Sequence, residues 1–410
     1  MADSNGAQSI GKSGYIFDPY ALDFAENPYP TYQWMRDEAP VYHQPEMDFW
    51  MLSRYEDVWQ AHRDAKTYSS KAGVQIERAT EAGNHLLGMD APKHNWAKAM
   101  MTKVFSSERM QALDGFIRAR AASLLDAAYD KHGPDGEFDM VSQFSVKLPL
   151  AVISELLGIP EALRQPIHDL SNAFISREYG TDVSHQMEAM GKLWGIYFQL
   201  TQERRQAPKD DPISLLIAVE ETDENGLVHK IADEEIAHRF LEMGFAGHET
   251  VAKAIPNGAM ALERFPDQKA KIAADLSVMP RVVQEILRFD PPSQLQGRLT
   301  TRDVTLHGVT IPADARVMLA TGGATRDPRA FPNPDQFDFE RDSDTRTVFF
   351  GYGVHKCLGI HLAQLEIAIA FQELYARYPG WKVFPDRTTR VALSNVRGVA
   401  TLPMVLGKRA

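Results

Sequence analysis

The sequence contains one cysteine, Cys357, among its 410 residues. A single thiol excludes an intramolecular disulfide, a zinc site built from several thiolates and a Cys-ligated iron–sulfur cluster. Acidic residues outnumber basic ones, 55 to 44, and the net charge of −11 argues against nucleic acid as a partner. The N-terminal stretch has no apolar run typical of a signal peptide or membrane anchor. We therefore expect a cytoplasmic protein that binds neither nucleic acid nor membrane.

Repeats and linkers are also lacking, because no period of 20–50 residues recurs and no Gly/Ser-rich or Pro-rich stretch divides the chain. This predicts one domain over residues 15–410 that follows a disordered N-terminus, 1–14. Strand patterns are few: 41–44, 49–53 and 303–321, the last with a His-Gly turn. The sequence therefore predicts a mainly α fold with a small β portion. The predicted helices are 91–130, 140–157, 160–178, 184–206, 213–220, 233–265, 266–275, 279–289 and 358–378.

The predicted helix 233–265 has an unusual centre. Acidic residues at its start complement the helix dipole, and Pro266 follows its end. Its middle, Gly-Phe-Ala-Gly-His-Glu-Thr at 244–250, holds two glycines where a core helix favours apolar residues. A surface helix explains this pattern, as does close approach of a flat ligand to bare backbone. Pro256 lacks the amide that would bond the Ala252 carbonyl, so it should kink or locally unwind the helix.

Cys357 directly precedes an apolar helical pattern and follows a loop that contains Gly351 and Gly353. Most lone cysteines are small core residues. A thiolate near a helix N-terminus is instead stabilised as a metal ligand or a nucleophile, and glycines let a loop turn its amides inward. A dinucleotide loop fails on spacing, because Lys356 stands where the third glycine is required. A Cys–His hydrolase that uses His355 or His361 stays open.

Residues 350–359 read Phe-Gly-x-Gly-x-His-x-Cys-x-Gly, which resembles the haem-binding signature of the cytochrome P-450 haem-thiolate monooxygenases. Three further segments resemble motifs of that family in the same order. Residues 246–250 resemble the A-G-x-[D/E]-T motif of its distal helix, and 285–288 resemble its E-x-x-R motif. The segment 331–341 resembles the one that supplies a further arginine. The chain therefore resembles a soluble bacterial member of the camphor or terpene hydroxylase type.

The resemblance implies a triangular helical prism with haem b between the long central helix and the cysteine loop. Cys357 would be the iron ligand, shielded by Phe350 and Gly351. Small side chains at Ala246 and Gly247 would leave room for O₂. Family members hold the two haem propionates with basic or hydrogen-bonding residues. The matching positions in this sequence are His94, Lys98, Arg298 and His355, and Lys98 replaces the arginine that is usual in the family.

The resemblance also implies the chemistry. Thr250 and Glu249 would deliver protons to O₂, and Glu285, Arg288 and Arg341 would form a structural network under the haem. The implied reaction is hydroxylation by O₂-dependent monooxygenation of a small or medium apolar molecule, terpenoid or aromatic. The substrate would contact the 72–89 loop and a set of residues from three segments, which are Phe245, Gln294, Leu295, Asn395 and Val396.

Electrons must come from a separate protein, because the chain has no flavin or iron–sulfur motif of its own. The resemblance implies a ferredoxin with its reductase, serving a monomeric enzyme. A group of basic residues could attract an acidic ferredoxin; these are Lys93, Lys98, Lys103, Arg109 and Lys356. A haem sensor without catalysis is the alternative from another class, and the acid-alcohol pair Glu249-Thr250 disfavours it.

Overall fold

The computed structural model describes residues 15–76, 85–175, 184–341, 345–391 and 395–410. The predicted disordered segment 1–14 and part of the predicted substrate loop, 77–84, lie outside these ranges. The helices are α1 (Leu22–Glu26), α2 (Tyr29–Glu38), α3 (Tyr55–Arg63), α4 (Lys93–Val104), α5 (Ser107–Ala112), α6 (Asp114–His132), α7 (Lys147–Leu156), α8 (Glu161–Ile175), α9 (Ser184–Gln206), α10 (Pro212–Ala218), α11 (Asp233–Arg264), α12 (Pro266–Ala274), α13 (Met279–Phe289), α14 (Thr321–Ala324) and α15 (Ile360–Arg377).

The strands are short. They are β1 (Val41–Gln44), β2 (Phe49–Leu52), β3 (Tyr68–Ser69), β4 (Phe138–Asp139), β5 (Glu221–Thr222), β6 (Val228–His229), β7 (Leu295–Thr300), β8 (Val304–Leu306), β9 (Val309–Ile311), β10 (Arg316–Ala320), β11 (Lys382–Val383), β12 (Thr389–Arg390), β13 (Val399–Thr401) and β14 (Pro403–Val405). The predicted mainly helical class with a small β portion is confirmed.

The predicted helix 91–130 is wrong as a single element, because the chain forms α4, α5 and α6 there. The Ser106 hydroxyl accepts a hydrogen bond from the backbone N–H of Arg109 at 3.4 Å and thereby caps a new helix.

Three short helices, α1 to α3, and strand β7 were not predicted. Their apolar residues are too few or too evenly mixed with polar ones for a clear period.

The chain divides into two compact units, each assembled from separate stretches. The first unit contains residues 1–83, 253–357 and 382–405. The second contains residues 84–252, 358–381 and 406–410. Helix α11 begins in the second unit and ends in the first. The single domain expected for 15–410 stays a prediction.

The first unit is organised around a five-stranded sheet of order β1-β2-β10-β7-β3. Strand β10 pairs parallel to β2 and antiparallel to β7, and all five of its residues are buried. Apolar clusters cover the two faces: Phe49, Met51 and Met318 belong to one cluster, and Leu52 and Val317 to the other. The alternation of faces along each strand explains this division.

The hairpin predicted within 303–321 is confirmed. Strand β8 pairs antiparallel with β9, and His307 and Gly308 connect them with φ of 50° and 80°. Two consecutive positive φ angles characterise the tight turn that matches the twist of a two-residue hairpin. The remaining expected strand of this segment is β10.

The second unit is helical. Helix α6 packs against α15, where Arg118 donates to Gln372 at 3.0 Å and pairs with Glu373 at 3.4 Å. Arg377 of α15 pairs with Asp126 of α6.

Helix α11 is continuous across Pro256, so the expected local unwinding is wrong. In the ranges that the structure describes, no helix combines the length and the apolar character needed to span a membrane.

Candidate active site

The cysteine loop of the first unit is held by its own backbone. The N–H of Cys357 donates to the carbonyl of Phe350 at 2.9 Å, and the N–H of Gly351 donates to Val348 at 2.8 Å. Gly351 and Gly353 have φ of 66° and 68°, which confirms the expected left-handed backbone. Cys357 is exposed in its unit, and the helical residues of α15 begin three positions later.

Glycine is required in this loop for a second reason. A Cβ placed on Gly353 would lie 2.5 Å from the carbonyl oxygen of His62, the residue before the last of α3. A residue with a side chain at position 353 would therefore have a strained backbone and would also collide with α3. The motif alone indicates the φ angle, whereas the contact with α3 depends on the fold.

Two predicted propionate contacts lie near this loop in the first unit. His355 is in the loop, and its Nε2 lies 3.1 Å from the Ser70 hydroxyl oxygen. Arg298 is buried on β7 and donates through Nη1 to the Gly297 carbonyl at 2.7 Å. Ser70 was not predicted, since a serine after a short strand carries no specific signal.

His62 was also not predicted. Its side chain is buried, and neither ring nitrogen has a hydrogen-bond partner among the described residues. Burial, followed by the positive charge of Arg298, lowers the pKa of His62 to about 3. The imidazole is therefore neutral at physiological pH. A histidine among apolar residues of a short helix looks like a core residue from sequence alone.

The other two predicted propionate contacts, His94 and Lys98, lie one turn apart on α4 of the second unit. His94 is buried and Lys98 is half-buried. Burial, followed by the charge of Lys98, lowers the pKa of His94 to about 4. His94 and Lys98 therefore lie on one face of α4, and their contact with the propionates stays a prediction.

The acid-alcohol motif lies in the part of α11 that belongs to the second unit. The Thr250 hydroxyl donates to the Ala246 carbonyl at 3.0 Å. His248 is buried, and its Nδ1 donates to the Gly244 carbonyl at 3.0 Å. Glu249 has a side chain that is only 14% exposed, with Oε2 3.9 Å from His248 Nε2. A half-buried acid and a hydroxyl thus occupy consecutive positions of one helix.

The two glycines of this motif have a packing role. A Cβ on Gly247 would lie 2.8 Å from Cδ1 of Ile153 in α7. A Cβ on Gly244 would lie 2.9 Å from the Tyr197 hydroxyl in α9. Both positions contact neighbouring helices, which is one reason for glycine there, and the expected room for a ligand beside Gly247 stays a prediction. Ala246, in contrast, is exposed in its unit.

The described end of the predicted substrate loop is fixed to α11. The carboxylate of Glu242 accepts the backbone N–H groups of Leu86 at 2.9 Å and Leu87 at 3.0 Å. Arg239 is buried beside it, 3.3 Å from Glu242 and 2.9 Å from Glu235. Sequence reasoning missed this anchor because the acid is distant in the chain from the amides that it binds.

The predicted structural network is present in the first unit. Glu285 binds Arg288 through two hydrogen bonds of 2.7 Å, and Arg341 Nε lies 3.4 Å from the same carboxylate. Arg288 also donates to the Pro334 carbonyl at 2.8 Å, and Glu285 accepts the N–H of Asp338 at 2.8 Å. The network therefore ties α13 to the segment 334–341.

Several predicted substrate residues make contacts within the first unit. The Gln294 amide donates to the Pro291 carbonyl at 2.7 Å, and Leu295 is buried in an apolar core cluster. The Asn395 carbonyl accepts the N–H of Gln294 at 2.9 Å. Val396 pairs with Ser293 through an isolated β-bridge. In the second unit, Phe245 is half-buried.

Three members of the predicted basic group form ion pairs within the second unit. Lys93 lies 3.5 Å from Glu235, Lys103 lies 2.5 Å from Glu221 and Arg109 lies 3.6 Å from Asp210. These ion pairs link α4 and α5 to segments that follow later in the chain. Their charges are balanced locally, and their expected role in attracting a ferredoxin stays a prediction.

Taken unit by unit, the donors present suit a haem. The Cys357 sulfur is accessible at the end of an amide-rich loop, which suits a thiolate ligand. Buried Arg298 and His94 suit carboxylates, because a buried guanidinium or imidazole favours a hydrogen-bonding anion. Among the described residues no group of three or more His, Cys, Asp or Glu side chains could hold a metal ion by itself.

Comparison with known proteins gives consistent matches. The family model for cytochrome P450 matches residues 150–403. Cytochrome P450 123 of Mycobacterium tuberculosis is 37% identical over 407 residues, which cover 98% of this chain and 99% of the relative. Vitamin D(3) 25-hydroxylase of Pseudonocardia autotrophica is 34% identical over 403 residues, covering 96% and 97%.

The fold agrees as well. A crystal structure of a Bacillus megaterium cytochrome P450 in complex with corticosterone matches with a TM-score of 0.83 at 28% identity, covering 94% of this chain and 99% of that one. These similarities remove the Cys–His hydrolase and the sensor without catalysis as alternatives. The chain belongs to the cytochrome P450 family, and it is a haem-containing, O₂-dependent monooxygenase of the bacterial type.

Proposed function

We propose that this P450 hydroxylates an apolar, polycyclic substrate of terpenoid or sterol size, with electrons from a ferredoxin and its reductase. The observation that carries the proposal is the cysteine loop, in which two left-handed glycines and the bond from Cys357 N–H to Phe350 present the only thiol of the chain. We further propose that the enzyme works as a cytoplasmic monomer.

In this proposal Cys357 would hold the iron of haem b. Bound haem supplies the iron at which O₂ is activated, and electron donation from a thiolate ligand favours cleavage of the O–O bond. Phe350 and Gly351 limit solvent access to the sulfur. His94, Lys98, Arg298 and His355 would hold the propionates, and the hydrogen bond between Ser70 and His355 restrains the His355 ring.

Proton delivery is assigned to Glu249 and Thr250. The hydroxyl of Thr250 donates to Ala246, and its oxygen can accept a proton donor at the same time. Glu249 keeps 14% of its side chain exposed, and it would relay protons from solvent. Ala246 has a small side chain, so it leaves space beside the hydroxyl.

The proposed substrate is mainly apolar. Leu295 is buried in a core cluster, and Arg397 pairs with Asp290 at 2.8 Å, so Arg397 is not available to a substrate carboxylate. The Gln294 amide nitrogen donates within the first unit, but its Oε1 has no hydrogen-bond partner among the described residues. Phe245 and Val396 stay candidates for substrate contact, with Gln294 and Asn395 as the polar ones. Two relatives, one named for vitamin D3 and one solved with corticosterone, support a sterol-sized molecule.

Spectral titration tests the substrate proposal. Vitamin D3, corticosterone, camphor and lauric acid are added to the ferric enzyme, and the low-spin to high-spin change of the Soret band is measured. We expect the sterol-like molecules to bind at least tenfold more tightly than lauric acid, and Phe245→Ala to weaken that binding by about tenfold, since burial of an aromatic ring contributes roughly 1–3 kcal/mol. Tightest binding of lauric acid, in wild type and variant alike, would contradict the proposal.

The redox partner is proposed to dock on a basic-aromatic surface next to the cysteine loop. Arg63 lies over the ring of Trp59 at 4.4 Å, and Arg346 lies over the same ring at 5.5 Å. The Trp59 ring lies 5.7 Å from that of Tyr352, which belongs to the loop. In the described ranges, neither arginine has an ion-pair partner.

This surface suits an acidic protein. Arg63 and Arg346 are exposed, as is Lys356, and Val354 between the loop residues is 45% exposed. Cations around a small apolar centre are the usual composition of a transient docking site, in which charges raise the association rate. An acidic ferredoxin complements this surface, whereas the paired Lys93 and Lys103 contribute less.

Stopped-flow reduction tests the docking surface. The rate at which a reduced, acidic [2Fe–2S] ferredoxin reduces the enzyme under carbon monoxide is measured at several salt concentrations. We expect the double variant R63E/R346E to lower the rate by about tenfold at low salt and to flatten its salt dependence. The matched control K93E/K103E changes the net charge of the protein by the same amount and should lower the reduction rate less. Equal effects of the two double variants would contradict the proposal.

A further inference from the structure

His62 is a buried polar side chain that belongs neither to the structural network nor to the proton pathway. It lies in the last turn of α3, is 3% exposed, and has no hydrogen-bond partner for either ring nitrogen among the described residues. Buried polar groups nearly always have partners, so an imidazole with two unused nitrogens indicates a ligand. A neutral imidazole offers one N–H donor and one acceptor nitrogen.

The surroundings of His62 indicate which ligand this is. The positive charge of Arg298 reaches the ring and disfavours a second positive charge there. Arg298 itself is buried at 4% exposure. A buried guanidinium next to an imidazole N–H forms a site for an anion, and a carboxylate can accept from both.

The position of His62 relative to the cysteine loop restricts the ligand further. Its backbone oxygen is the atom that excludes a side chain from Gly353, and its ring Cε1 lies 3.8 Å from where a Cβ of Gly351 would be. The ring therefore lies directly against the loop that holds Cys357. In the same loop, His355 Nε2 lies within hydrogen-bond distance of the Ser70 hydroxyl oxygen.

We propose that the ring N–H of His62 donates a hydrogen bond to the haem propionate that Arg298 binds, and so adds a further haem-anchoring residue on α3. This inference rests on the function proposed above. Gly353 then has an additional purpose, because a Cβ there would collide with the His62 carbonyl oxygen and keep the loop from lying against α3.

The test uses the haem-loaded enzyme and three variants. His62→Phe removes both nitrogens and fills a similar volume, and His62→Gln retains an N–H donor. His43→Phe is the matched control, since His43 is an exposed histidine of the same unit, stacked on Trp50 at 4.4 Å. Haem transfer to excess apomyoglobin is followed by absorbance, and the propionate bending bands are recorded by resonance Raman spectroscopy.

We expect His62→Phe to release haem about tenfold faster than wild type and to shift a propionate band, because one charge-assisted hydrogen bond is lost. His62→Gln should release haem at close to the wild-type rate, and His43→Phe should not differ from wild type. Unchanged release and bands in His62→Phe, or equal changes in His62→Phe and His62→Gln, would overturn the inference alone. A wild type that takes up no haem would overturn the proposed function as well.

Discussion

The hydroxyl of Thr250 donates to the carbonyl of Ala246 one turn earlier in α11, over 3.0 Å. We therefore predict that Thr250→Ala uncouples the reaction, because it removes the only hydroxyl next to Glu249 in the acid-alcohol motif. Product formed per NADH consumed should fall by at least about tenfold, within the range that positioned proton donors contribute. Product and hydrogen peroxide are measured together in a reconstituted assay.

Thr250→Ser is the control for this experiment, since it keeps the hydroxyl and removes a methyl group. Its coupling should stay within about threefold of wild type, and the ferric spectra of both variants should match that of wild type. Full coupling in Thr250→Ala would remove Thr250 from the proposed proton pathway.

Arg288→Ala is predicted to destabilise the protein strongly. The pair with Glu285 is buried on both sides, with two hydrogen bonds of 2.7 Å. Loss of Arg288 leaves a buried carboxylate with less compensation, which costs about 3–5 kcal/mol. Urea unfolding is measured beside Lys192→Ala, which breaks an exposed helical pair with Glu188 and should cost about 0.5 kcal/mol or less. Similar costs for the two variants would show that the buried network is unimportant for stability.

Gly353→Ala separates the two reasons for a glycine in the cysteine loop. Gly353 and Gly308 have similar φ angles, 68° and 80°, but only Gly353 has an atom, the His62 carbonyl oxygen, within 2.5 Å of a new Cβ. No described atom lies within 4 Å of a Cβ on Gly308. Both variants bear about 1–2 kcal/mol of backbone strain, and Gly353→Ala should cost clearly more. Equal urea midpoints for the two would exclude the steric contribution.

Glu366 of α15 should make stability depend on pH. Burial raises its pKa well above the usual value, and Oε2 has no hydrogen-bond partner among the described residues. A carboxyl whose pKa is raised on folding contributes fully below pH 4.5, and its contribution is lost as pH rises toward the folded pKa. Wild type should therefore lose stability relative to Glu366→Gln above pH 4.5, by up to about 1.4 kcal/mol per pH unit.

The urea midpoints of wild type and Glu366→Gln are compared between pH 4 and pH 8. The difference should be small at pH 4 and should grow with pH in favour of the variant. A difference that is constant over this range would show that Glu366 does not change its protonation on folding. Glu155, which is on the surface and paired with Arg164 at 2.7 Å, supplies the control Glu155→Gln.

The sequence was informative where function restricts a short segment. The loop from Phe350 to Cys357, the network of Glu285, Arg288 and Arg341, and the helix ends of α9 and α13 follow from motifs, glycines and periodicity alone. Such segments carry their constraint locally, because a positive φ or an i, i+3 ion pair involves neighbours in the chain.

Contacts between distant segments were not predictable. His62 and Ser70 precede the cysteine loop by almost 300 residues, and the acids that neutralise Lys93 and Lys103 lie more than 100 residues after them. Local composition indicated a basic surface, but it does not show which acids pair with these lysines. Nor does the sequence show that a side chain at position 247 would collide with Ile153 of α7.

The central claim is that the Cys357 thiolate holds the haem iron, and the absorption spectrum of the reduced protein under carbon monoxide tests it most directly. Wild type should show the strongly red-shifted Soret band of a thiolate-ligated haem, and Cys357→Ala should lose that band. Ser70→Ala, which changes a neighbour of His355 but no ligand, should retain it. A red-shifted band that persists in Cys357→Ala, or a wild type without it under adequate haem supply, would contradict the account.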